Sequence, residues 1–270
     1  MKTKGVVLAL LCMALLSAVL GSVAYCQARD PLEPTVARFG SQPRSIVDFP
    51  TAGLPPRGGF YVEADIYSQG GVILNLGVGF ARYFGFGISY GGLNVIGTGD
   101  PDMYPQPAVN VKARLIDESI LVPAVAVGFD SQGQGPYLDR EQRYLTKSRG
   151  IFAVASKNWD LLGPLSFHGG ISYSLEKKED DDPTVYVGII KSFSDFLDVR
   201  AEYDFAVNDN EGDSPFIENR GYLNASVVWH VNENFSLGLE VRDIATKDKV
   251  CTEDLRQWNR GICIVYRDIL

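Results

Sequence analysis

Charged residues recur at every second position in several short stretches of this chain. They are Glu63 and Asp65, Lys112 and Arg114, Arg200, Glu202 and Asp204, and Glu240 and Arg242. If those stretches are strands, all nine side chains line one face. Both signs are present. That suits a hydrated, ion-paired interior, or a charged path for a polar solute or polysaccharide. It argues against a strongly ion-selective pore and leaves a path for neutral sugar open.

Other residue types point to less. A Ser-His-acid site needs a serine and a carboxylate beside a histidine. Only His168 and His230 exist; Ser166 and Ser172 share a face with the first, and Ser226 with the second. Such coincidences are common where strands dominate, so both histidines read as inward polar side chains and no catalytic residue is assigned. The densest charge run, residues 176–182, reads as a solvated turn. Its alternative is a divalent-cation site bridging to lipid phosphates, but spacing along one loop assigns no metal. Gly77-Val78-Gly79 and Gly85-Phe86-Gly87 follow strand periodicity rather than opening a helix, so no phosphate-binding loop and no cofactor is expected. Cys251 and Cys263 flank the last long connection, where a disulfide would pin the loop to the final strand.

The elements that must position these groups are strands. Period-two alternation places them near 58–67, 72–81, 85–96, 107–116, 122–130, 150–158, 165–175, 184–191, 197–207, 221–231, 235–242 and 261–269. Residues 197–207 show it best: Leu197, Val199, Ala201, Tyr203 and Phe205 oppose Asp198, Arg200, Glu202 and Asp204. Residues 122–130 are apolar on both parities. Lengths of about ten residues suit tilted strands crossing a bilayer.

The connections alternate too. Those near 82–84, 160–164, 192–196 and 232–234 are short; those at 97–106, 131–149, 177–183, 208–220 and 243–260 are long and mostly acidic. A soluble sandwich also alternates in hydropathy, but it has no reason to gather its long loops on one parity. A barrel inserted from the periplasm has one. The short link at 68–71 breaks the pattern. Tyr83, Phe84, Trp159, Phe193, Phe196, Trp229 and Phe235 fall near the tight turns, as interfacial girdles do.

Lys2 and Lys4, the apolar stretch 6–20 and Ser22-Val23-Ala24 form a secretory leader. Tyr25 is too large for a lipoprotein box before Cys26. Residues 29–57 are rich in proline and read as an extended segment, either periplasmic or tucked into the barrel. The net charge of -8 and the lack of a basic patch make the chain a poor candidate for nucleic-acid binding, and no nucleic-acid partner is expected.

Several segments carry a family resemblance. Pro50-Thr51-Ala52-Gly53-Leu54-Pro55-Pro56-Arg57-Gly58 resembles the opening motif of the YjbH-like exopolysaccharide-biosynthesis outer-membrane proteins. So do Gly87-Ile88-Ser89-Tyr90-Gly91-Gly92 and Ile96-Gly97-Thr98-Gly99-Asp100-Pro101. Pro123-Ala124-Val125-Ala126-Val127-Gly128-Phe129-Asp130-Ser131-Gln132-Gly133 and Ala153-Val154-Ala155-Ser156-Lys157-Asn158 are similar to further family stretches. Well-known members are considerably longer. The resemblance implies a barrel linked to export or assembly of surface polysaccharide, and supplies no catalytic residue.

The expectation is therefore an all-β, antiparallel transmembrane β-barrel of about 12 strands over 58–270, behind a signal peptide at 1–28 and a proline-rich segment at 29–57. It would sit in the outer membrane of a Gram-negative bacterium. Its partners would be outer-membrane lipid and lipopolysaccharide, with polysaccharide and other export components for the role the resemblance implies. The alternatives are a small general porin and a secreted β-sandwich binding module.

Overall fold

The computed structural model describes residues 43–176, 182–209, 221–244 and 260–270. Its strands are β1 (Gly59–Tyr67), β2 (Gly71–Ala81), β3 (Phe84–Leu93), β4 (Asp102–Met103) and β5 (Ala108–Ile116). Next come β6 (Ala124–Asp130), β7 (Gln134–Leu138), β8 (Arg143–Thr146), β9 (Gly150–Asp160) and β10 (Pro164–Tyr173). The last five are β11 (Thr184–Ser194), β12 (Leu197–Asp204), β13 (Tyr222–His230), β14 (Phe235–Val241) and β15 (Arg260–Ile269). The short β4 pairs only with the end of β3, and β7 and β8 form a separate hairpin. The other twelve strands make one antiparallel ring. β1 closes it by pairing with β15, in register from Gly59↔Ile269 to Tyr67↔Gly261.

Strand parity decides which side chains meet the outside. Val62, Leu74, Phe86, Ile151, Val187 and Leu239 are exposed, while their neighbours in each strand are more buried. A water-soluble protein would bury such a belt, whereas hydrocarbon tolerates it. With ring closure, this places the protein in a Gram-negative outer membrane. The nine charged residues read from the sequence all lie on the opposite, inward face.

Both ends of the described barrel chain meet at one end, where Leu270 N–H donates to the Gly58 carbonyl at 2.9 Å. The connections at 82–83, 117–123, 161–163, 195–196 and 231–234 share that end. Tight turns mark the periplasmic side of such barrels. At the opposite end, the 68–70 link is as short as its sequence suggests: Gln69 and Gly70 both take positive φ, which tightens the turn. The backbone of 94–96 folds onto it, Asn94 and Ile96 N–H each donating at 3.0 Å to Gln69 and Gly70 carbonyls.

Two outer connections hold more than loops. The β7–β8 hairpin packs Tyr144 into a cluster with Tyr67, Ile73, Leu93 and Tyr104. Arg143 forks onto Asp209 with bonds of 2.8 and 2.7 Å. Glu176, the first residue of the acidic run, is no solvated carboxylate: it accepts from the Tyr144 and Ser148 amides. Residues 177–181 of that run lie outside the described residues, as do the leader and most of the long connections at 208–220 and 243–260.

The expected Cys251–Cys263 bridge is not formed. Strand parity turns Cys263 inward, beside Asp65 and Gly238, as a free thiol. Cys251 lies outside the described residues.

Candidate functional site

The barrel interior is occupied by the chain itself. Residues 43–57, the described part of the proline-rich segment, enter the lumen as a narrow hairpin. Ile46 N–H donates to Phe49 O at 2.8 Å, Thr51 N–H to Arg44 O at 3.1 Å, and Ser45 bridges to Pro50. A peptide inside a barrel must satisfy its own polar backbone. Pro43, Pro50, Pro55 and Pro56 reduce that demand by lacking an N–H.

The wall supplies the rest. Glu202 receives the amides of Val47, Asp48 and Phe49 at 3.0, 2.9 and 3.0 Å, with Asn224 Nδ2 at 2.9 Å. Lys112 Nζ donates to the carbonyls of Arg44 and Thr51, both at 3.0 Å. Arg114 donates through Nε and a terminal nitrogen to Ala52 O at 3.0 and 2.8 Å. Arg200 reaches the Ser45 and Ile46 carbonyls more loosely at 3.4 Å. Glu63 pairs with Arg44 of the hairpin.

Arg242 is the hub of the outer half. It meets Asp48 of the hairpin at 2.9 Å, and Asp65 and Glu240 of the wall at 2.8 and 2.6 Å. Asp204 does not touch the hairpin; it accepts from Thr184 Oγ1 and the Ala206 amide. So six of the nine charged residues grip the hairpin directly, Asp65 and Glu240 hold Arg242, and Asp204 shapes a turn.

Sequence reasoning passed over the partners that complete the site. Ser156 Oγ accepts the Ala52 amide at 2.8 Å, and Tyr186 donates to Pro50 O at 3.0 Å. Phe49 stacks on Tyr186 at 4.2 Å and lies 3.9 Å beneath the Arg149 guanidinium. Ile46, Phe49 and Ala52 join Ala124, Ala126, Phe152, Val154, Tyr186 and Ile190 in one apolar cluster. β6 is apolar on both parities because its inner face packs on the hairpin rather than on water. Gln134 of the β7–β8 hairpin donates to Asp48 at 2.6 Å, so the outer hairpin meets the inner one.

The wall is thinned where the hairpin passes. A Cβ on Gly79 would lie 2.0 Å from Pro56 O and 2.6 Å from Pro55 O. A Gly79→Val variant is expected to lose about 1–3 kcal/mol by overpacking, read as a lower temperature of the folded-to-unfolded band shift on a cold denaturing gel. Gly238→Ala, whose nearest neighbour would be 3.4 Å away, should leave that temperature unchanged.

The histidines bond serines other than those that share their own strand faces. His168 Nδ1 bonds Ser156 Oγ at 2.8 Å, not Ser166 or Ser172. His230 bonds Ser236 Oγ at 2.8 Å and Asp198 at 3.0 Å, not Ser226. The Ser236–His230–Asp198 chain has the order of a hydrolase triad. But Ser236 is buried and sits directly opposite His230 across the β13–β14 pair, and Asp198 also accepts from Ser192 and Arg200. Among the described residues no group of three His, Cys, Asp or Glu is placed to hold a metal ion.

Solved structures with a similar outline are porins and outer-membrane proteins. The KdgM porin shares 14% identity at a TM-score of 0.48, over 77% of this chain and 98% of that one. The NanC porin in its rhombohedral crystal form shares 9% at 0.45, over 78% and 99%. The outer membrane protein Omp33 of Acinetobacter baumannii shares 8% at 0.43, over 80% and 100%. No protein-family model and no curated protein matches the chain.

Proposed function

We propose that the protein is a non-enzymatic outer-membrane barrel, closed at rest, that serves exopolysaccharide export or cell-surface assembly. The observation that carries the closed state is the hairpin at 43–52, held by side chains from β1, β5, β9, β11, β12 and β13. Arg242, the residue after β14, completes that set. A general porin keeps an aqueous channel; here the wall's charges are engaged by peptide. The polysaccharide role draws its support from the resemblance. The motif Pro50-Thr51-Ala52-Gly53-Leu54-Pro55-Pro56-Arg57-Gly58 is the returning arm of the hairpin. Ser156 and Ala126, from two other similar stretches, seat it.

In planar bilayers the full mature chain is expected to stay silent over long recordings, while a steady conductance from most insertions would favour the small porin. Loss of surface polysaccharide on deletion of the gene, restored by the full chain, supports the export role; unchanged polysaccharide removes it. Ser236→Ala should leave ester hydrolysis by the purified barrel at the background of the unaltered chain.

A further inference from the structure

Two neighbouring turns at the periplasmic end differ from the rest of the rim. The β5–β6 turn carries Ile120 and Leu121, 93% and 90% exposed; the β9–β10 turn carries Leu161 and Leu162, 61% and 94% exposed. β6 pairs with β9, so the two turns stand side by side. The other turns carry a polar or charged residue at the tip and no pair of exposed aliphatic side chains: Arg82 stands beside Tyr83, Asp195 beside Phe196, and the last is Asn232-Glu233-Asn234. Leaving a leucine or isoleucine in water rather than in an apolar phase forgoes roughly 1.5–3 kcal/mol per side chain.

These side chains are held out by a bonded framework. Leu162 takes φ +53°, a left-handed conformation uncommon outside glycine. Lys191 Nζ fixes that turn by donating to the carbonyls of Leu161, Leu162 and Gly163 at 2.8, 2.7 and 2.9 Å. Leu161 N–H donates to Gly163 O at 3.1 Å. On the other turn, Ser119 N–H donates to Val122 O at 2.9 Å, and Val122 N–H to Ser119 Oγ at 3.1 Å. Lys157 Nζ donates to Ser119 O at 2.6 Å and to Glu118 at 3.0 Å. Glu118 also accepts the Asn158 amide at 2.8 Å, tying the β5–β6 turn to the end of β9 that leads into the other turn.

The origin of the two lysines matters. Lys157 shares the outward parity of β9 with Ile151 and Trp159, and Lys191 that of β11 with Val187 and Phe193. Both stand on the lipid-facing wall and bend their ammonium groups to the turns, as snorkelling lysines do. Water would satisfy those carbonyls without help. A turn entering an apolar phase must bring its own donors, and these turns have them.

We propose that residues 119–122 and 161–162 form an apolar foot that inserts into the phospholipid of the periplasmic leaflet. The foot continues the lipid-facing belt beyond Leu115, Ile116 and Trp159, which are themselves exposed. One sector of the barrel thus has a taller apolar wall than the sectors ending at Arg82 or Glu233. The partner is lipid, and the inference stands apart from the polysaccharide role.

The test uses the full mature chain in phospholipid vesicles, with its own cysteines replaced by serine. Nitroxide labels are placed singly through Leu162→Cys, Ile120→Cys, Glu233→Cys and Ile151→Cys. Oxygen collides preferentially with labels in lipid, a water-soluble nickel chelate with labels in water. Labels at 120 and 162 are expected to show an oxygen-to-nickel accessibility ratio several-fold above that at 233 and close to that at 151. A ratio at 120 and 162 equal to that at 233, with 151 still protected, overturns the foot and leaves the barrel intact. Nickel access at 151 as well would overturn the barrel reading instead.

Discussion

Replacing residues 43–54 with a glycine–serine chain of equal length is expected to turn a silent barrel into a conducting one. The substitution removes Phe49 and Ile46 from the apolar cluster, Asp48 from Arg242 and the hairpin's ordered amides from Glu202. The twelve-strand ring does not include those residues, so its backbone ladder is untouched. What remains facing the lumen is a mixed set: Glu63, Asp65, Glu202, Asp204 and Glu240 against Lys112, Arg114, Arg200 and Arg242. Conductance should therefore show weak ion selectivity. The β7–β8 hairpin still crosses the outer mouth, anchored by Arg143 on Asp209 and by the tyrosine cluster. Single-channel recordings should thus rise in order from the unaltered chain, to the hairpin replacement, to a chain that also lacks residues 134–146. Silence in all three, with folded mobility retained on a cold gel, would remove the inner hairpin as the closing element.

The second large effect is expected at Glu202. Its carboxylate is fully buried and accepts four N–H groups, three of them from consecutive amides at the hairpin tip. Glu202→Leu leaves those donors without an acceptor. Each buried unsatisfied donor costs roughly 1–3 kcal/mol, so the tip should detach rather than stay in place. A loss of about 3 kcal/mol in local stability corresponds to about a hundredfold faster amide exchange. Hydrogen exchange at Val47, Asp48 and Phe49 reports it directly. Glu202→Gln, which keeps one acceptor, should fall between the two. Asp204→Asn, two residues along the same face but bonded to Thr184 and Ala206 instead, should leave exchange at 47–49 as it was. If both Glu202 variants leave it unchanged too, the carboxylate does not hold the tip.

Much of the fold was legible because period-two alternation is dictated locally. Leu197 to Phe205 could be assigned faces without a partner strand, and loop parity then ordered the hairpins. Even the short link at 68–70 was visible, since Gln69-Gly70 needs no longer chain to reverse. The lumen was legible only by half. The charged wall residues could be named, but their partners are largely backbone groups of residues 43–52, and backbone carries no sequence signature. Asp48 and Tyr186 are ordinary residues until the hairpin brings them to Arg242 and Pro50.

One signal did point inward. Residues 122–130 are apolar on both parities, and Phe152 and Val154 are inward residues too large and apolar for a watery interior. A barrel strand that is apolar on its inner face faces something other than water. The segment best able to supply it was the proline-rich stretch containing Ile46, Phe49 and Leu54. The disulfide expectation went wrong for a related reason: proximity to a loop in sequence does not reveal that Cys263 points into the lumen.

The inner hairpin is joined to β1 by only the short stretch 53–58. It therefore behaves as a ligand tethered within reach of its own binding site, where effective concentrations lie in the millimolar range for short tethers. A free solute cannot clear the lumen by affinity alone unless it exceeds that local excess as well as the bonds to Glu202, Lys112 and Arg242. Opening is thus set less by how much solute waits outside than by whatever loosens the hairpin's own bonds to the wall.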